Sequence, residues 1–268
     1  VAESKLNLGI IGAGNMAGAI LNGILKKEIF SPQNINIYDK IYEKLDKFKA
    51  KGVNVCSDAR EVVKMSDMVL FAIKPQDFEA LLESISDLSS GKCFLSIVGG
   101  YTRKFISSKL ANSHVIRIMP NTPLMLSCGA TVISEAPDVP GEYFNTCVDI
   151  FSASGIVEIM PDELINNITT VNGSSPAYFY RFVNVIAKNA QSEGIDYDKA
   201  VKLCAKSMEG AAKMIMESGM TPEELIRQVS SPGGTTLAAL HTMDELKFDE
   251  TVIAAMKSCT KRAFELGK

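Results

Sequence analysis

Over the first 160 positions, apolar residues gather in short runs, at residues 6–11, 35–38, 53–55, 68–73, 93–98, 115–119, 130–133 and 157–159. The stretches between them carry helical spacing, as in Ile20, Ile24 and Leu25. Runs this short suit strands buried on both faces of a mostly parallel sheet, and their alternation with helices predicts a doubly wound α/β domain. From Pro161 onward the strand signals stop, and the apolar positions follow helical spacing at Phe179, Phe182, Val183 and Ile186, then Leu203, Ala211, Met214 and Ile215. The chain therefore divides into an α/β domain at 1–160 and an all-helical domain at 161–268. Within the second, Thr221-Pro222-Glu223-Glu224 has capping-box spacing with proline at the first helical position, which starts a short helix running to Ser230. The last helix holds Val252, Ile253, Ala254, Ala255 and Met256 in succession, apolar on more than one face, and such a helix needs cover. A homodimer supplies it; an ordinary monomer core is the alternative.

The first apolar run enters Gly12-Ala13-Gly14-Asn15-Met16-Ala17-Gly18, which matches the dinucleotide-binding fingerprint with Ala17 at the third small position. Gly12 permits the tight turn, and Gly14 lets a pyrophosphate approach the backbone. A strand before it and a helix after it make the domain Rossmann-like. The second run ends at Asp39, where a ribose-binding carboxylate is expected; a turn or cap residue fits the same position. As a ribose ligand, Asp39 would repel a 2′-phosphate and favour NADH over NADPH, an effect that Lys40 beside it offsets in part.

Ligands of such sheets bind beyond the carboxyl ends of the strands. Three segments fall there: Ile73-Lys74-Pro75, Val98-Gly99-Gly100 and Met119-Pro120-Asn121-Thr122-Pro123. Lys74 either faces cofactor phosphate or ribose or is a solvated loop lysine. Asn121 and Thr122 either hydrogen-bond a carboxamide such as that of nicotinamide or belong to a loop stiffened by its prolines.

Ser230-Ser231-Pro232-Gly233-Gly234-Thr235-Thr236 breaks the helical pattern of the last third. Two adjacent glycines let the backbone curl and the threonine pair opens a new helix, so several N–H groups can converge on one anion, such as a carboxylate. A capped helix–helix corner is the alternative.

The formal net charge of −3 leaves no basic field for nucleic acid or an anionic membrane surface. Six cysteines without metal-ligand spacing read as reduced core residues, and no metal site is expected. With no signal peptide or transmembrane run in this sequence, a cytoplasmic location is expected. The two histidines read as structural, for His114, and as a helix-surface or interface residue, for His241.

Taken in order, Gly12 to Met16, Ala72-Ile73-Lys74-Pro75, Met119 to Pro123, Gly173-Ser174-Ser175-Pro176-Ala177-Tyr178 and Ser230 to Thr236 resemble the pyrroline-5-carboxylate reductase family over essentially the whole chain. Ser175 stands where the family usually has glycine, and Ala59 where many members carry asparagine. The resemblance implies reduction of 1-pyrroline-5-carboxylate to L-proline by hydride transfer from NADH or NADPH, the last step of proline biosynthesis. It implies a Rossmann domain followed by a helical dimerisation domain, active sites built between subunits, and dimers that in some members form rings. By carry-over, Ser231, Gly233, Gly234, Thr235 and Thr236 would hold the substrate carboxylate, with Thr236 near the ring nitrogen as the catalytic group. Gly12, Ala13, Gly14, Asn15, Met16, Asp39, Ala72, Ile73, Lys74, Pro75, Asn121 and Thr122 would hold the cofactor.

Two rivals remain open on the residues alone. A β-hydroxyacid dehydrogenase-like oxidoreductase needs a proton-abstracting lysine on the first long helix of the second domain, and positions 177–186 hold Arg181 but no lysine. A non-enzymatic dinucleotide sensor would have no use for a carboxylate loop.

Overall fold

The protein is described by a computed structural model over residues 4–266. It forms two compact units, one holding the chain up to Ser174 and again from Cys259, the other Ser175–Ser258.

The first unit is built on one eight-stranded sheet, from β1 (Leu8–Ile11), β2 (Ile35–Tyr38), β3 (Asn54–Val55), β4 (Met68–Phe71), β5 (Cys93–Ser96), β6 (His114–Met119), β7 (Gly129–Ser134) and β8 (Gly155–Met160). Its order is β3-β2-β1-β4-β5-β6-β7-β8, so the winding reverses between β1 and β4. Strands β3 through β6 are parallel, which brings their carboxyl ends to one edge. All eight apolar runs are strands. Direction departs from the parallel pattern once, at β6 and β7, which pair antiparallel through Ile118↔Ile133 and Met119↔Val132. The physical reason is the connection at 120–128, a 3-10 turn too short to make a crossover.

Helices α1 (Asn15–Lys26), α2 (Asp46–Lys49), α3 (Ala59–Met65), α4 (Phe78–Ile85), α5 (Arg103–Lys109) and α6 (Gly141–Ser152) join the strands, and α7 (Ile165–Ile168) follows the last of them. Alternate strand residues divide between two cores. Leu8, Ile10, Leu70, Leu95 and Ile116 meet Ile20, Leu21 and Ile24 of α1 and Ile150 and Phe151 of α6. Ile11, Val69, Phe71 and Phe94 turn to the other face, against Val62 of α3, Phe78 and Leu82 of α4 and Ile106 of α5. Each large side chain buried this fully contributes roughly 1.5–3 kcal/mol. Among the described residues one charged side chain is buried: Arg117 of β6 donates to the Asp162 carboxylate and to Asn166 Oδ1 (2.8 Å), which fastens the segment carrying α7 to the sheet.

The second unit holds α8 (Ser175–Ser192), α9 (Tyr197–Glu217), α10 (Pro222–Gln228), α11 (Thr235–Glu245) and the start of α12 (Phe248–Leu266). Its ends are set locally: Asp196 accepts the Lys199 N–H to cap α9, and Thr221 with Glu224 forms the expected capping box at α10. Tyr197 Oη donates to Asn184 Oδ1 at 2.9 Å and links α9 to α8. Among its described residues only Pro176, Ala187 and Ala200 are buried, while Phe179, Tyr180, Val185, Leu203, Met216, Val229 and Ile253 are exposed. The apolar excess expected for the last helix thus extends across the whole unit. Among the described residues no helix is long and apolar enough to cross a membrane.

Cys56, Cys93 and Cys147 are core residues as expected, but Cys128 is exposed because it lies in the short β6–β7 connection. Burial pushes the Cys56 thiol up to about 11 and the Cys93 thiol up to about 12, and raises Cys147 as well. All three stay protonated and covered near neutral pH. A brief maleimide pulse on the native protein at pH 7.5 should therefore label Cys128 well before these three, as read by peptide mass spectrometry; comparable labelling of Cys93 would contradict the buried placement.

Candidate functional site

Where the winding reverses, the loop after β1 crosses the end of β4. Gly12 has φ +107°, and a Cβ there would stand 2.3 Å from the Ala72 carbonyl oxygen, so only glycine fits. Its N–H donates to the Tyr38 carbonyl (2.8 Å) and the Ala72 N–H to the Ile11 carbonyl (2.9 Å), which binds the ends of β1, β2 and β4 together. Gly14 is different. A Cβ there would meet nothing within 4 Å, because it would project into open space in front of α1. The first turn of α1 has no side-chain cap and no acidic residue, so its N–H groups and the positive end of the helix face an anion unopposed.

A cleft of about 440 Å³ opens there. Gly12, Gly14, Asn15, Met16, Asp39, Ala72, Ile73 and Lys74 all line it. Ala13 does not: its side chain is fully buried, and its N–H is taken by Asp39 Oδ2 at 2.7 Å. Asp39 Oδ1 accepts the Ile41 N–H at 2.8 Å, and Lys44 Nζ stands 3.8 Å away. The carboxylate is thus an internal fastener as well as a cleft group. Lys40 and Asp77, also on the cleft wall, pair at 2.8 Å, and that bond raises the Lys40 pKa. Ile41, Lys44 and Asp77 escaped the sequence reading because their partners follow from loop folding, with no local spacing to announce them.

Three other expected residues, Pro75, Asn121 and Thr122, lie off this cleft. Pro75 offers its carbonyl to Tyr101 Oη at 3.0 Å, tying the β5 loop to the β4 loop. Asn121 was expected to offer its amide to a carboxamide, but it is buried, its Oδ1 accepts the Ala130 N–H at 3.0 Å, and its Nδ2 donates to the Asn172 carbonyl at 3.3 Å. Thr122, the next residue, is exposed.

In the second unit, Ser231 to Gly234 close a tight turn through the Gly234 N–H and the Ser231 carbonyl, 2.9 Å apart, with Gly233 at φ +72°. Gly234 precedes α11 with no side-chain cap, so the N–H groups of Thr235 and Thr236 open the helix free of a competing hydroxyl or carboxylate. Thr236 is half-buried, and Ser230 Oγ is buried without a partner. His241 is exposed on α11 beside Glu245, and the His114 ring lies 6.1 Å from that of Tyr143. Among the described residues no cluster of three or more His, Cys, Asp or Glu could hold a metal ion.

Two family models match the chain. One, described as pyrroline-5-carboxylate reductase dimerisation, covers residues 162–266, and one described as NADP oxidoreductase coenzyme F420-dependent covers residues 7–100. A pyrroline-5-carboxylate reductase of Methanosarcina acetivorans is 33% identical over 264 residues, covering 97% of this chain and 98% of the relative. The structure of a pyrroline-5-carboxylate reductase from Coxiella burnetii superposes with a TM-score of 0.91 at 30% identity, over 99% of this chain and all of the other. A Plasmodium falciparum pyrroline carboxylate reductase with NADP bound shares the fold, at TM-score 0.90 and 24% identity over the full length of both chains.

If the Gly12 contact sets the cleft, Gly12→Ala must push the loop off β4. The variant should bind dinucleotide roughly 100-fold more weakly by titration calorimetry while keeping its helical circular dichroism; wild-type affinity would remove this contact from the cofactor site.

Proposed function

The chain belongs to the pyrroline-5-carboxylate reductase family, and on that premise we propose that it reduces 1-pyrroline-5-carboxylate to L-proline in proline biosynthesis. The physical observation that carries this reading is the presence, on one chain, of a dinucleotide cleft and a second helix N-terminus free to grip a carboxylate. The dehydrogenase and sensor alternatives have no such support.

In this reading Gly12, Gly14, Asn15 and Met16 accept the pyrophosphate, Ala13 acts through the N–H it gives Asp39, and Asp39 faces the adenosine ribose. Ala72, Ile73, Lys74 and Pro75 form the adjoining wall. Thr122, on a loop shaped by Asn121, serves the nicotinamide end. The cofactor, when bound, supplies the hydride. Ser231, Gly233, Gly234, Thr235 and Thr236 hold the carboxylate of the imine through N–H groups and hydroxyls. The Thr236 hydroxyl hydrogen-bonds the ring nitrogen, whose own basicity carries the proton, so no histidine or metal is required. This is catalysis by alignment, which contributes up to roughly 7–11 kcal/mol in the best-oriented systems.

The finer assignments are proposals of the same kind. Functionally the chain divides at residues 160 and 161, into a cofactor domain at 1–160 and a substrate and dimerisation domain at 161–268. The exposed apolar faces of the helical unit support a homodimer, with a ring of dimers as its extension and the active site completed between subunits. Cysteines not joined in disulfides suit the reducing cytoplasm. NADH is preferred to NADPH because the Asp39 charge faces the ribose, with Lys40 engaged by Asp77.

Mixing the protein with 1-pyrroline-5-carboxylate should oxidise both cofactors, with a higher kcat/KM for NADH. A ratio favouring NADPH overturns the role of Asp39; absence of turnover despite cofactor binding overturns the reaction. Thr236→Ala should lower kcat/KM for the imine by about 10- to 100-fold with an unchanged thermal midpoint, and wild-type kinetics would take Thr236 out of the mechanism.

A further inference from the structure

The β6–β7 connection leaves the sheet at Met119 and returns at Gly129, and its exposed residues include Thr122, Met125, Leu126 and Cys128. Leu124 is buried and seats the middle of the connection. Both feet are held by one distant side chain. Asn172 Nδ2 donates to the Met119 carbonyl at 2.7 Å and to the Ala130 carbonyl at 3.0 Å. The Asn172 carbonyl in turn accepts from Asn121 Nδ2 at 3.3 Å, and Asn121 Oδ1 accepts the Ala130 N–H at 3.0 Å. Four hydrogen bonds thus close a ring through Met119, Asn121, Ala130 and Asn172, with both asparagine side chains buried.

Asn172 reaches this place from an irregular helix. Residues Thr169–Gly173 form a π-turn, closed by the Ser174 N–H on the Thr169 carbonyl at 2.8 Å, and turns of this kind concentrate at functional sites. Asn172 Oδ1 is buried and has no partner. A side chain that leaves its acceptor unpaired in order to place two donors is held there by what those donors do. Thr122 stands three residues past Met119, exposed on the connection whose feet are held in this way.

We propose that Asn172 is a positioning residue of the reductase: with Asn121 it clamps both feet of the β6–β7 connection and so aims Thr122 at the nicotinamide end of the cofactor. This rests on the reading above that the Thr122 loop serves nicotinamide. Asn121 and Asn172 touch neither cofactor nor substrate in this account; they act through the loop.

The test compares NADH with ADP-ribose, which shares the adenosine and pyrophosphate but lacks the nicotinamide. Asn172→Asp keeps the shape and removes both donors; Asn121→Asp, which keeps the acceptor for Ala130 and loses only the donor, is the milder second variant. Each should bind ADP-ribose within about twofold of wild type, bind NADH at least about fivefold more weakly, and turn over about tenfold more slowly, since small misplacements at a reacting centre are costly in rate. A purely structural role would lower the thermal midpoint and weaken both ligands alike, and that outcome overturns the proposal. Thr122→Ala separates it from the reading beneath. If Thr122→Ala loses NADH selectively while both asparagine variants behave as wild type, the clamp is wrong and the loop assignment stands. Wild-type behaviour in all three overturns the loop assignment itself.

Discussion

The first unit depends on a contact that no side chain makes. Gly12 lies against the Ala72 carbonyl so closely that even a methyl group would collide, and this lets the β1 loop rest on the end of β4 at the point where the winding reverses. Three fastenings follow from that seat: Gly12 N–H to Tyr38, Ala13 N–H to Asp39, and Ala72 N–H to Ile11. Together they fix three strand ends around the head of α1. Remove the seat, and the cleft loses its floor before any charge or hydroxyl is altered.

The same geometry, a helix N-terminus left open to an anion, occurs twice, once in each unit. In each a glycine-containing turn delivers the chain to a helix whose first N–H groups have no side-chain cap. Neither helix has an acidic residue in its first turn, whereas α10, which serves no ligand here, has Glu223 and Glu224 in that place and caps itself. A helix that satisfies its own N-terminus is inert toward anions; one that does not is open to them.

Much of this was legible in the sequence because the signals were local. Apolar runs marked all eight strands, the glycine pattern marked the tight turn between β1 and α1, and Thr221 with Glu224 marked α10. What stayed hidden was non-local. The reversal of β7 depends on how little chain lies between two strands, and apolar runs carry no direction. The distance of Asp39 from the fingerprint singles it out, but its hold on the Ala13 and Ile41 N–H groups depends on loop conformation. The internal bonds of Asn121 stayed hidden for a related reason: one partner is Asn172, 51 residues further on, across a change of element that no periodicity describes.

The helical unit buries only Pro176, Ala187 and Ala200 among its described residues, and its match to a dimerisation family makes a second molecule the cover its apolar surface calls for. A unit sheltered in this way has a melting temperature that depends on subunit concentration. Its stability carries a mass-action term, rising with the logarithm of subunit concentration, so that dilution becomes a denaturant. The amount of chain a cell makes then sets not only how much enzyme is present but what fraction of it is folded.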